Sequence, residues 1–216
     1  VRFFGPNATV AQDLEPEHVT VGPLGLRAWI TLQENNAIAV VDLFRNPPVV
    51  SAVLPLGVKD HGLPENALDV SDRDGTPGAL ETYPGLYGMY LPDGIDGALI
   101  GGKYYLFTAN EGDTRDYPCF SEERRVADLT LAPSFPADEV AALSRLRVTN
   151  TRGDEGGVFT RLYAFGGRSF AVWNGRGRLI YESGSTMELL LAERFRDYYE
   201  DSRSDDKGPE PEDLVL

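Results

Sequence analysis

Acidic side chains at the openings of apolar runs are the residues of this chain best placed to do chemistry. Glu15 and Glu17 flank Pro16 ahead of His18-Val19-Thr20-Val21, Asp93 follows Pro92 ahead of Ile95, and Glu210 and Glu212 flank Pro211 ahead of Leu214. Glu111 and Asp113 stand in a further acidic loop, Asn110 to Tyr117, which closes the apolar run Lys103 to Ala109. Hard cations such as calcium take six to eight oxygen ligands from carboxylates, carbonyls and water. Glu15, Glu17, Asp93, Glu111, Asp113, Glu210 and Glu212 are therefore the candidate ligands for calcium or another divalent ion, provided that the fold brings strand openings together. Each also has a plainer role open to it: capping a turn, pairing with Arg115, Arg168 or Arg203, or facing water.

Phosphoryl chemistry would need a metal cluster, a phosphate clamp and an activated water. Arg73, Arg115 and Arg168 could clamp phosphate through bidentate hydrogen bonds, and His61, in a long loop, is the candidate acid or base. No compact signature supports such a site: the two histidines, His18 and His61, are far apart, and no nucleophilic serine motif is present. His18, in a strand, reads as a structural histidine. Asp69 to Gly75 (DVSDRDG) has the composition of a calcium loop, but an EF-hand frame would put Val70 in the first ligand position and leaves no glutamate for the last. An Asx-turn or an irregular site remains. Asn7-Ala8-Thr9 is a glycosylation sequon, with Asn7 the acceptor.

The elements that must position these groups are short strands. Arg27 to Leu43 (RAWITLQENNAIAVVDL) reads as a β-hairpin around the polar turn Gln33 to Asn36, since β-branched and aromatic residues suit a pleated surface and Asn tolerates positive φ. With His18 to Val21 before it and Val49 to Gly57 after it, the hairpin makes four antiparallel strands, the size of one β-propeller blade. A meander from a sandwich or barrel has the same periodicity. The recurrence of an acid-flanked proline before each apolar run favours the propeller, with these runs as innermost strands, because a strand's first residue need not donate to the ladder. Ala98 to Ile100 and Lys103 to Ala109 form another hairpin, and Leu162 to Phe165, Ser169 to Trp173 and Arg178 to Tyr181 read as a second blade.

Between these lie an irregular excursion, Lys59 to Tyr90, and an insertion, Pro118 to Val148, with a helix over Ala137 to Leu146 started by Ser134 and Pro136. Val1 to Val10 holds a short aromatic strand. Ser185 and Glu188 have capping-box spacing, and Met187, Leu190, Leu191, Phe195 and Tyr198 fall on one helical face, as core residues would. Asp201 to Asp213 has the composition of a solvated linker. The expected fold is all-β: a partial β-propeller of about three antiparallel blades with helical and loop insertions, one domain over residues 1–216 and a segment of a longer propeller.

A formal net charge of −14 repels nucleic acid phosphates and anionic membranes and makes cations the natural partners. Cys119 is the only cysteine, which excludes an internal disulfide and a Cys-based zinc site. No apolar stretch is long enough to span a bilayer.

Seven blocks, TLQENNAIAVVDL, LPLGVKDHGLPENALDVSDRDG, GMYLPDGIDGAL, TANEGDTRDY, RVADLTL, LYAFGGRSFAVW and RSDDKGPEPE, together resemble the choice-of-anchor I domain family. That family includes mesenchyme-specific cell-surface glycoproteins of biomineralising cells and bacterial relatives labelled alkaline phosphatase-like. The resemblance implies an extracellular or surface-attached β-propeller that binds calcium and serves adhesion, extracellular matrix or biomineral association, with matrix or other protein chains completing the propeller. The alternative it implies is a calcium-dependent phosphoesterase, alkaline phosphatase- or phytase-like, with its site at the propeller channel. Relatives often carry an Asp/Gly-rich loop before the YAFGGRSF block, whereas here that stretch is only Arg152 to Gly157.

Overall fold

The computed structural model describes residues 1–216. The first four strands are β1 (Pro16–Val21), β2 (Arg27–Leu32), β3 (Ala37–Asp42) and β4 (Val49–Pro55); β5 (Val58–Asp60), β6 (Leu86–Met89), β7 (Ile95–Ile100) and β8 (Lys103–Asn110) follow. Six short pieces come next: β9 (Asp116–Tyr117), β10 (Phe120–Ser121), β11 (Glu123–Arg125), β12 (Arg147–Thr149), β13 (Asp154–Glu155) and β14 (Val158–Phe159). The last strands are β15 (Leu162–Phe165), β16 (Ser169–Asn174) and β17 (Leu179–Glu182). Three short helices complete the chain: α1 (Val10–Asp13), α2 (Ala137–Leu143) and α3 (Thr186–Arg194).

The first sheet has the expected order β1-β2-β3-β4, antiparallel throughout. Asn36 takes the left-handed conformation, φ 51°, that closes its central hairpin. The second four-stranded sheet, β7-β8-β16-β17, is also antiparallel, but residues 111–168 are inserted between its middle strands. β15 therefore does not belong with β16 and β17 in one blade. It pairs in parallel with β6 inside a five-stranded mixed sheet, β11-β12-β15-β6-β5. The excursion after β4 and the insertion after β8 thus fold onto each other. Two sheets, not three, have the antiparallel blade form, and none of the sheets closes on itself.

The two four-stranded sheets share one core. Trp29, Ile38, Val40 and Leu56 meet Tyr90, Ile95, Leu106, Ala171 and Trp173. Each such fully buried aliphatic side chain contributes about 1.5–3 kcal/mol. The Trp173 indole donates to Thr108 Oγ1 at 2.9 Å, so its polar edge is satisfied inside. A separate core of Leu68, Leu86, Leu143, Leu146, Val148 and Leu162 among others lies against the five-stranded sheet.

Several local expectations are corrected. Val1 to Val10 forms no strand; Phe4 lies beneath the Arg2 and Arg115 guanidiniums, 4.2 and 4.3 Å from the ring centre. α2 stops at Leu143 because Leu143 and Leu146 turn into the second core. α3 has no side-chain cap at Ser185: that hydroxyl donates to the Glu65 and Ala67 carbonyls instead. The helix also buries its acid and leaves its apolar stripe out, with Leu190, Phe195 and Tyr198 exposed. The cause is Arg168, whose buried guanidinium takes Glu188 as its counter-ion at 2.8 Å. Nor is Asp201 to Asp213 a solvated linker, since Ser204 and Asp205 are buried.

Candidate functional site

β1 and β7 run side by side, and this neighbourhood brings the strand openings together. His18 Nδ1 lies 3.0 Å from Asp93 Oδ1, and Thr31 Oγ1 donates to the Asp93 carbonyl at 2.7 Å. The C-terminal stretch approaches β7 as well: Gly94 N–H donates to the Glu212 carbonyl at 2.8 Å. A Cβ on Gly94 would lie 2.7 Å from Asp213 Cα, so only glycine permits that approach. The three proline-opened runs are thus neighbours. Two of them share a backbone device, since Leu91 and Glu210, each directly before its proline, hold φ of 45° and 42°.

The acids converge unequally. Burial, then Asp93 and Glu15, push the Glu17 carboxyl above its ordinary range, while His18 opposes them. Burial also raises Glu111, with Asp93 and Asp113 adding to it against the hydrogen bond from Gln33 at 2.6 Å. Glu17 and Glu111 thus both feel the Asp93 and Asp113 carboxylates. Gly112 and Gly166 fix the loop that carries Glu111 and Asp113: their φ values are 107° and 75°, and a Cβ on Gly112 would stand 2.4 Å from Gly166 N. Glu15 sits at the edge, accepting from Arg115 Nε at 3.2 Å and from Tyr117 OH at 2.9 Å. Asp113 pairs with Lys207 at 2.7 Å. Glu210 is drawn away into an ion pair with Arg203, and the Glu212 side chain is exposed.

One acid was hidden in the sequence by its place in a turn. Glu34 belongs to Gln33 to Asn36, whose four residues are all buried rather than solvated. Glu34 is 6% exposed, and its Oε2 has no hydrogen-bond partner. Its pKa is pushed up to about 8, first by burial and then by the Glu15 and Glu17 carboxylates, against Arg115. The backbone N–H of Glu34 itself opposes the rise, but a buried carboxylate with one oxygen unpartnered is costly unless a proton or a cation joins it. No three His, Cys, Asp or Glu side chains are already closed around a point, so an arriving cation would have to draw these carboxylates in.

The candidate phosphate clamp is spread and spent. Arg115 is buried and holds Asp13 Oδ1 at 2.9 Å as well as Glu15. Arg168, 2% exposed, donates to Glu188 and to the Asp69 and Ser204 carbonyls. Arg73 is exposed on the loop after β5, 3.8 Å from Asp72. A clamp needs open guanidinium N–H groups, which the two buried arginines lack. His61 is buried, its Nδ1 2.7 Å from the Asn66 carbonyl. Asp69 accepts from Ser71 N and Gly78 N at 3.1 and 2.8 Å, the Asx-turn arrangement. Asn7 is exposed on a turn.

Two antiparallel four-stranded sheets sharing one core, beside a mixed sheet, define a mostly β protein. The chain belongs to the choice-of-anchor I domain family, whose model matches residues 1–216. A choice-of-anchor domain marks a protein that is secreted or attached to the cell surface. No curated protein and no solved structure matches the chain. No helix is long and apolar enough to cross a membrane.

Proposed function

We propose that this chain is part of a secreted or cell-surface β-propeller whose acidic end binds calcium, in adhesion, matrix or mineral association. The observation that carries the reading is Glu34, buried with an unpartnered Oε2 beside Glu15 and Glu17. Glu34, Glu15 and Glu17 are the inner ligands in this reading, and Asp93, Glu111 and Asp113 would have to move in, or act through water, to complete the shell. Calcium suits such a set better than magnesium, because it accepts irregular shells of six to eight oxygens while magnesium demands a near-ideal octahedron.

The propeller reading is supported by the free sheet faces. Alternation from Trp29 puts Val19, Val21 and Val50 on the side of the first sheet away from the shared core, and all three are exposed. Phe170 and Tyr181 stand likewise on the free face of the second, ring centres 5.8 Å apart. Further sheets, on this or another chain, would cover both faces.

The test is calcium titration calorimetry on the chelator-stripped chain, with hydrolysis of p-nitrophenyl phosphate assayed on the same samples. Binding without turnover, weakened about tenfold or more by Glu34→Gln, is the expected result, a loss of at least ~1.4 kcal/mol. No binding, or binding indifferent to Glu34→Gln, refutes this site. Calcium-dependent turnover abolished by Glu34→Gln would make the phosphoesterase the correct reading.

A further inference from the structure

At the end of the two sheets opposite the acids, where β2 starts and the turns after β7 and β16 lie, the chemistry is reversed. An open cleft of about 590 Å³ lies there, with Trp29, Tyr104 and Tyr105 in its lining and Arg27, Lys103 and Arg176 among them. No aspartate or glutamate lines it, in a chain with 34 acids. None of the three cations takes part in any of the molecule's ion pairs, and all three are exposed. They come from three separate elements, so they surround the cleft rather than project from one loop. The aromatic lining is fixed: Trp29 stacks on Tyr104 with ring centres 4.8 Å apart, and its indole N–H donates to the Gly175 carbonyl at 3.2 Å.

We infer that this cleft is a binding site for an acidic oligosaccharide, a short sugar chain bearing carboxylate or sulfate groups. The half-buried Tyr105 ring offers apolar surface that a sugar ring covers, while Tyr104 is held against Trp29 and presents its edge. The two guanidiniums can take planar carboxylate or sulfate oxygens bidentately, and Lys103 supplies a point charge. A long polyanion is disfavoured, because beyond the cleft it meets the field of a molecule with net charge −14. The cleft is independent of the calcium reading, since no acid of that cluster lines it.

The experiment is titration of the chain with trigalacturonate and, in parallel, with a sulfated trisaccharide, neutral maltotriose and a hexaglutamate peptide, read by calorimetry and by the tryptophan emission of a Trp173→Phe background, which leaves Trp29 as the emitter. The double variant Lys103→Glu/Arg176→Glu is compared with a charge-matched control, Arg194→Glu/Arg196→Glu, at exposed positions outside the cleft. The inference expects one acidic trisaccharide to bind, maltotriose not to, and the cleft variant to weaken binding about tenfold or more while the control changes it about twofold or less. Unchanged thermal melting of both variants separates this from misfolding. Failure of both acidic sugars to bind at roughly 1 mM, equal losses in the two variants, or tighter binding of hexaglutamate would each overturn it.

Discussion

The two interiors of this molecule are stabilised in different ways. Between the four-stranded sheets, strands pair with their neighbours and the space is filled by Trp29, Ile38, Leu106 and Trp173. Around the five-stranded sheet, segments distant in sequence are joined, and their loops bring carbonyls inside that no ladder satisfies. Buried cations satisfy them. Lys59 Nζ donates to the Gly167 and Gly184 carbonyls, both at 2.8 Å, and Arg168 to those of Asp69 and Ser204 at 2.6 and 2.8 Å. Backbone groups removed from water must be paired, so insertions that cannot form a regular sheet recruit charged side chains, each of which then needs a counter-ion. Glu188 for Arg168 and Glu182, at 3.5 Å, for Lys59 fill that need.

The sharpest way to break this comparison is to remove one such cation. Arg168→Leu leaves three carbonyls, those of Asp69, Ser204 and Asp206, and the Glu188 carboxyl without their donor, and should lower stability by about 3–5 kcal/mol in urea titrations at neutral pH. Burial already raises the Glu188 pKa against Arg168, so without the arginine the carboxyl should take up a proton and the deficit should shrink in acid. A cost under about 1 kcal/mol would mean that Arg168 does not hold the loops together. In the other interior, Leu106→Ala should cost about 3 kcal/mol as a plain cavity. That deficit should be the same at pH 5 and pH 7, because no carboxyl, histidine or lysine belongs to the shared core. A marked pH dependence there would erase the distinction.

The same division decides what could be read in advance. The first sheet and the hairpin from β7 to β8 were legible because adjacent strands pair and their periodicity and turns are local. β15 was misassigned because nothing in LYAF distinguishes a strand that pairs forward with β16 from one that pairs in parallel with β6. Glu188 and Ser185 have capping-box spacing, yet tertiary partners outbid the local ones. At the acidic end, the proline-flanked openings of β1 and β7 do lie side by side, with His18 Nδ1 3.0 Å from Asp93 Oδ1. Glu34 was missed since a polar turn ordinarily faces water, whereas this turn is covered by the N-terminal segment, where Arg2 donates to the Glu34 carbonyl, and by the loops that follow β6 and β8, which meet Gln33 and Asn36. Glu210 carried the right motif, but Arg203, only a few residues away, captured it.

His61 tests the ion-rich interior most gently, through pH alone. Its Nδ1 donates to the Asn66 carbonyl, and its Nε2 has no partner, packed so closely on Gly88 that a Cβ there would stand 2.6 Å away. Burial, and after it the charges of Lys59 and Arg168, push its pKa down to about 3. Between that value and the unfolded value near 6.5, the unfolded chain binds the extra proton. Stability from this residue is therefore fully present above about pH 6.5 and is lost as the pH falls towards 3, at about 1.4 kcal/mol per pH unit, or ~2 kcal/mol between pH 6.5 and 5. The raised Glu34 and Glu188 carboxyls contribute with the opposite sign, so the raw slope of the protein mixes these effects. The difference between wild type and His61→Gln isolates the histidine: urea midpoints at pH 7, 6 and 5 should converge as the pH falls. Parallel lines would mean that His61 is charged in the fold, and that the carbonyl-bound cations beside it tolerate another positive charge.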